Sequence, residues 1–345
     1  MKAAVLHGPR DIRVESFEEP GIEPGMVLLR SRLVGICGSD QHYYEHGYCA
    51  AFVPDRPFVL GHEVMAEVAA VAPDVATVRV GQRVAVNPAR SCGFCDNCKA
   101  GRGNLCRKTI MLGSASTTPP TNGGLAELVA VRADQCHALP AGVDESLGAL
   151  IEPFAVALHA VKRAGTVSGR RVLVTGAGAI GLLAAMTARA FGAVPVAVSD
   201  LVAQRRAKAE ELGIDAVLDP SAADFADRAR ELSGEGFDVV LEASGAPPAL
   251  KSAFDLVRPG GTIVQIGTLG TADIPLPANK LMNKEINLIG SMRYGNVFDE
   301  AIRLAAAGRV NLRPLINAVF PLEESAMAFE FAADKARSFK VLIQI

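Results

Sequence analysis

A glycine triplet constrains this chain more than any other feature. Gly176, Gly178 and Gly181 stand as G-x-G-x-x-G directly after the apolar run Val172–Thr175 and open a helical stretch that reaches Phe191. A strand that turns this tightly into a helix needs the first glycine for the turn. The second lets a ligand's pyrophosphate approach the backbone, and the third lets helix and strand pack closely. The helix N-terminus then offers free N–H groups and a positive dipole end. Around the triplet, Val196–Ser199, Ala216–Leu218 and the segments 238–241, 262–266 and 286–289 are apolar strand candidates separated by helical stretches. That alternation predicts an α/β fold with a doubly wound parallel sheet. Asp200 ends the second strand, 19 residues after Gly181. A carboxylate there accepts hydrogen bonds from an adenosine ribose and repels a 2′-phosphate, so NAD is expected over NADP. Asp200 also suits a cap for a helix over 202–212. Arg205 either stacks on the adenine, softens that discrimination, or stands on an exposed helix face.

The first 140 residues read differently. Short alternating segments at 26–30, 64–71, 83–86 and 125–131, separated by Gly, Pro and Asp, predict a small β-barrel-like domain with long loops. A helix is expected over 297–307 and a strand over 339–345, the tail returning to this first domain. With 345 residues, half of them hydrophobic, the chain is long enough for two cores. We place the domains at 1–154, 155–291 and 292–345. A net charge of −2 gives no field for nucleic acid or a membrane surface. His7, Arg10 and Asp11 interrupt any signal-peptide core, and the uncharged run between Arg171 and Arg189 is too short to span a membrane. The reading is a cytoplasmic protein whose partners are small molecules and copies of itself.

Of seven cysteines, Cys92, Cys95, Cys98 and Cys106 fall within fifteen residues. Four thiolates in one lobe meet the requirement of a closed, tetrahedral, structural zinc site, and disulfides are disfavoured in the cytoplasm. Cys37 in GICGSD and His62-Glu63 in LGHEV, 25 residues apart, form a second set. Three ligands and an open position make a catalytic zinc site. Glu152, in the IEP segment, would bind that metal directly or accept a hydrogen bond from its water. Two zinc ions per chain are expected, one structural and one catalytic.

With these residues the chain resembles the zinc-containing medium-chain alcohol dehydrogenase superfamily over essentially its whole length. GICGSDQHYY, VLGHEV, the cysteine lobe, LIEPFAVALHA, VLVTGAGAIG, SDL and GSMRY fall in that superfamily's order. The resemblance implies a GroES-like β-barrel catalytic domain beside a Rossmann domain. Glu63 and Glu152 resemble the polyol branch typified by sorbitol dehydrogenase. Within it, HYYEHG, VNPARSCGFC, MLGSAS and GSMRYGNVFDEAIRLAAAGRVNLRPL resemble the L-idonate 5-dehydrogenases. The implied activity is hydride transfer between NAD(H) and a secondary alcohol of a polyol or sugar acid, L-idonate giving 5-keto-D-gluconate. The resemblance also implies proton relay by Ser39 and His42, and catalytic zinc on Cys37, His62 and Glu63 with Glu152 exchangeable. Substrate contacts fall to Tyr43, Arg293 and Tyr294. Cofactor contacts fall to Ile180, Asp200, Arg205, Gly267, Thr268 and Met292, and the assembly is a homotetramer or homodimer. The chain departs from mammalian sorbitol dehydrogenases by keeping the cysteine lobe and by carrying small residues at 113–116. Sorbitol, xylitol or an amino alcohol such as threonine are rival substrates, and a dinucleotide-binding protein without turnover is the non-enzymatic rival.

Overall fold

The computed structural model describes all 345 residues and divides them into two compact units, Met1–Glu152 with Phe298–Ile345, and Pro153–Val297. No helix is long and apolar enough to cross a membrane.

The second unit carries a six-stranded parallel sheet in the order Ala216–Leu218, Val196–Ser199, Val172–Thr175, Phe237–Glu242, Val257–Gln265 and Asn287–Gly290. Its central strands VLVT and VAVS are buried at every position, as strands covered on both faces by helices must be. The helix Ala179–Ala190 lays Leu182, Leu183, Ala185 and Ala188 into that core. It comes so close to the preceding turn that a Cβ on Gly181 would sit 1.7 Å from the Gly176 carbonyl oxygen, which is why the third glycine of the motif is needed.

In the first unit the long strand Met26–Gly35 organises a seven-stranded sheet. It pairs antiparallel with Glu63–Val71, with Leu128–Arg132 and with Lys340–Gln344. Val27, Leu29, Val34, Val68, Val131 and Ile343 fill the core behind it. The strand expected over 125–131 begins three residues later. Leu125 bonds instead to Leu60 and Ala4, so its backbone serves a neighbouring connection and not the ladder. The helix near residue 300 is Phe298–Ala306.

Candidate active site

In the first unit Cys37 caps the helix Gly38–His46, and Glu63 opens the strand opposite it, Gly35 and Glu63 being cross-strand partners. A Cβ on Gly35 would lie 2.0 Å from Glu63 Oε2, so this glycine makes room for the carboxylate. The ligand atoms of Cys37, His62 and Glu63 lie within 4.8 Å of one another, Cys37 half-buried and the other two buried. A thiolate, an imidazole and a carboxylate at this spacing fit a divalent zinc-type ion with a position left open.

Two residues absent from the sequence reading complete the cluster. Asp40, 1 % exposed, accepts the Cys37 backbone N–H at 3.0 Å through Oδ2. Its Oδ1 stands 3.4 Å from His62 Nδ1, an ion-pair distance whose alignment falls short of a hydrogen bond, so Oδ1 has no hydrogen-bond partner. With Nδ1 facing this carboxylate, Nε2 is the ring nitrogen open to a metal. Burial pushes the His62 imidazole down, but Asp40 and Cys37 outweigh it and hold it well above the usual histidine value. Lys340, also buried, places Nζ 2.6 Å from both Glu63 oxygens and donates to the Ile36 carbonyl at 3.1 Å. Glu152, on the first turn of the helix Ile151–Arg163, is 6 % exposed. Burial pushes its carboxyl up to about 7, with His62 opposing and Glu63 adding to the shift. The sequence signals for the two missed residues were weak: an Asp three positions after Cys37, and one lysine opening an otherwise apolar run, KVLI.

Ser39 and His42 lie one turn apart on the helix Gly38–His46, His42 exposed. Tyr43 differs, being 2 % exposed and packed edge-on against Phe58. Its hydroxyl accepts the Ala115 N–H at 3.0 Å and approaches Ser114 Oγ at 3.4 Å. Tyr43 therefore anchors the 114–116 segment from behind.

The cysteine lobe is assembled without a disulfide. The sulfur separations are 3.5 Å for Cys95–Cys98, 3.9 Å for Cys92–Cys98 and 4.0 Å for Cys95–Cys106. Four sulfurs placed tetrahedrally about 2.3 Å from zinc are about 3.8 Å apart, so the lobe fits a closed zinc site. Backbone N–H groups of Cys98 and Arg107 hold the Cys95 thiol down, to about 6.

In the second unit, Gly176 takes φ +92° and its N–H reaches the Ser199 carbonyl at 2.7 Å. Gly178 precedes the helix Ala179–Ala190 as its cap, and Ile180 is half-buried on its first turn. Asp200 accepts the Ala177 N–H at 2.7 Å and the Val202 N–H at 2.8 Å, so it braces the glycine turn and caps the next segment at once. A carboxylate has about four acceptor positions, which leaves capacity for ribose hydroxyls. Arg205 Nη1 is 3.9 Å from Asp200 and 3.6 Å from where a Cβ on Gly178 would be, beside the turn. Gly267 packs on Gly245, Thr268 and Met292 are exposed, and Tyr294 is 3 % exposed. Arg293 takes a left-handed φ of 53°, an uncommon conformation for a side-chain-bearing residue.

Residues 23–141 match the alcohol dehydrogenase GroES-like domain, and residues 179–307 the zinc-binding dehydrogenase domain. The chain is 39 % identical over 343 residues to sorbitol dehydrogenase of Bos taurus, covering 99 % of this chain and 95 % of that one. The crystal structure of L-idonate 5-dehydrogenase from Escherichia coli superposes with a TM-score of 0.92 at 33 % identity, over 100 % of this chain and 98 % of that one. Two further structures cover 100 % of this chain and 99 % of their own. One is an E. coli dehydrogenase complexed with NADH, at TM-score 0.92 and 29 % identity. The other is a Sinorhizobium meliloti zinc-binding dehydrogenase bound to NADP, at TM-score 0.90 and 32 % identity.

Proposed function

We propose a function from the premise that this chain belongs to the zinc-containing alcohol dehydrogenase family, in the polyol branch that holds the sorbitol dehydrogenases. It is a zinc-dependent, NAD-linked dehydrogenase that oxidises a secondary alcohol of a sugar acid or polyol to the ketone, releasing NADH and a proton. The substrate we assign is L-idonate, oxidised at C5 to 5-keto-D-gluconate. The observation that carries the reading is the convergence of Cys37, His62 and Glu63 within 4.8 Å.

When bound, zinc supplies Lewis-acid polarisation of the substrate hydroxyl, and nicotinamide supplies the hydride acceptor. The chain supplies the rest. Cys37, His62 and Glu63 would hold the metal, Asp40 braces the Cys37 backbone and sets its charge beside the His62 ring, and Lys340 fixes the Glu63 carboxylate. Glu152 either joins the ligands or holds a water beside them. Ser39 passes the substrate's proton towards His42, whose exposed imidazole hands it to solvent. Arg293 and Tyr294 hold neighbouring hydroxyls and so select the carbon that reacts. The glycine turn, Ile180, Gly267, Thr268 and Met292 bind the dinucleotide through backbone and apolar contacts, and Asp200 with Arg205 binds its adenosine ribose. Cys92, Cys95, Cys98 and Cys106 hold the second zinc, and the enzyme works in the cytoplasm as a homodimer or homotetramer.

For the substrate, the small residues at 114–116 leave room for a chain that ends in a carboxylate, and the likeness to the E. coli L-idonate enzyme spans the whole chain. The 39 % identity to a sorbitol dehydrogenase supports a neutral polyol as the second reading. Competition kinetics with L-idonate, sorbitol, xylitol and L-threonine separate the two. L-idonate is expected to give the highest kcat/KM. A tenfold advantage of sorbitol, about 1.4 kcal/mol in transition-state binding, would overturn the L-idonate assignment and leave the dehydrogenase reading standing.

A further inference from the structure

Glu242 ends the strand Phe237–Glu242 with its side chain fully buried, and no step above uses it. Its Oε1 accepts the backbone N–H groups of Ser244 at 2.9 Å and Gly245 at 3.1 Å, the Ser244 hydroxyl, and Thr175 Oγ1 at 3.4 Å. Its Oε2 accepts Gln265 Nε2 at 2.5 Å, and the same amide nitrogen donates to the Gly267 carbonyl at 2.7 Å. The Glu242 carbonyl takes the N–H groups of Ile266 at 2.8 Å and Gly267 at 2.9 Å. One residue thereby ties together the C-terminal ends of three adjacent parallel strands.

The loops it holds have no slack. A Cβ on Gly267 would fall 2.3 Å from Gly245 N, and one on Gly176 would fall 2.8 Å from Ser244 Cα. Sheets of this type bind dinucleotides across the C-terminal ends of their strands, at the point where strand order reverses. Asp200, on the strand to one side of Val172–Thr175, takes the adenosine half. The Glu242 cluster lies to the other side and faces the half that remains. We infer that Glu242, acting with Gln265, is a positioning residue that sets the backbones of Ser244, Gly245, Gly267 and Thr268 as the wall of the nicotinamide half. The inference rests on the dinucleotide reading above. A glutamine at position 242 keeps one acceptor oxygen in place of two, so its NH₂ meets either the Ser244 and Gly245 N–H groups or the Gln265 amide nitrogen, donor against donor.

Calorimetric titration of the full-length parent, Glu242→Gln and Gln265→Met tests this with two probes. One is NADH; the other is ADP, which carries adenosine and pyrophosphate but no nicotinamide. NADH should bind roughly tenfold more weakly to Glu242→Gln and several-fold more weakly to Gln265→Met, with ADP within about twofold of the parent in both. Unchanged NADH affinity in both variants, or equal weakening of NADH and ADP, overturns the inference. If Glu242→Gln fails to fold, Gln265→Met decides by the same criteria. A parent that binds neither probe removes the dinucleotide reading and this inference with it, whereas a binding parent with parent-like variants removes the inference alone.

Discussion

Lys340 Nζ lies 2.6 Å from both carboxylate oxygens of Glu63, with the lysine side chain 5 % exposed and the glutamate 1 %. Burial pushes this ammonium down, but Glu63 and Cys37 beside it outweigh that and hold it above the usual lysine value. Lys340 sets a buried positive charge beside Cys37, Glu63 and Glu152. Removing one partner of a buried pair typically costs about 3 to 5 kcal/mol, because the other charge is left uncompensated. Lys340→Met should approach that loss in chelated protein and lose clearly less with zinc loaded, since bound Zn²⁺ supplies compensating charge to Glu63. Denaturant unfolding with and without chelator measures it. Equal losses in the two states would show that the lysine is not part of the metal's charge balance.

The cysteine lobe makes a separate expectation. Cys95→Ser replaces the thiol that backbone N–H groups already hold down, so it should lower zinc content by one ion per chain and lower Tm. Metal analysis beside a thermal scan reads both. Unchanged zinc stoichiometry would mean that the four sulfurs hold no metal.

Asp200→Ala removes a carboxylate that braces Ala177 in the glycine turn and stands where a ribose hydroxyl binds. NADH binding should weaken by about 1 to 2 kcal/mol, the scale of lost charge-assisted hydrogen bonds. Discrimination against NADPH should relax at the same time. Titrations with both cofactors check this, and a parent that already prefers NADPH would contradict the assigned role of Asp200.

Asp238 contributes to the pH dependence of the second unit. Burial pushes its carboxyl up, but hydrogen bonds from Arg258 Nε at 2.6 Å and from the Arg171 backbone N–H at 2.9 Å outweigh it and hold it below the usual range. A carboxyl lowered in the folded state contributes stability that is present above its unfolded value, about 3.9, and is lost as pH falls through the folded value. The parent should therefore lose stability below about pH 4 more steeply than Asp238→Asn. Near neutral pH the variant should be weaker by about 1 to 3 kcal/mol. Urea unfolding from acid to neutral pH compares the slopes, and parallel curves would remove Asp238 from the account.

Legibility in the sequence followed the range of the interactions. The glycine turn and Asp200 follow consecutive strands of one local unit, and Val172–Thr175 and Val196–Ser199 match their expected bounds because buried parallel strands are near-continuous apolar runs, while the half-buried edge strand Ala216–Leu218 matches as well. The cysteine lobe is local in the same way. Cys37, His62 and Glu63 are each ordinary residues taken alone and read as a metal set only beside the dinucleotide motif; the fold brings their ligand atoms within 4.8 Å. Lys340 was not, since it reaches Glu63 only when the strand Lys340–Gln344 pairs with Met26–Gly35, a register no local pattern encodes. Glu242 was hidden likewise, an acid at a strand end whose partners Thr175 and Gln265 lie on neighbouring strands. Tyr43 shows the opposite limit: its place in the motif marks it for the site, but only the packing reveals that its hydroxyl accepts the Ala115 N–H.

The most direct test of the central claim is zinc content measured together with NADH formation, in the parent and in Cys37→Ser. Serine replaces a thiolate ligand with a neutral hydroxyl at the cluster of Cys37, His62 and Glu63, and leaves the cysteine lobe intact. The parent should hold two zinc ions per chain and form NADH, whereas Cys37→Ser should hold one, bind NADH normally, and lose turnover by about a thousandfold or more. Near-parental turnover in Cys37→Ser, or a parent that turns over with no metal at this site, would contradict the account.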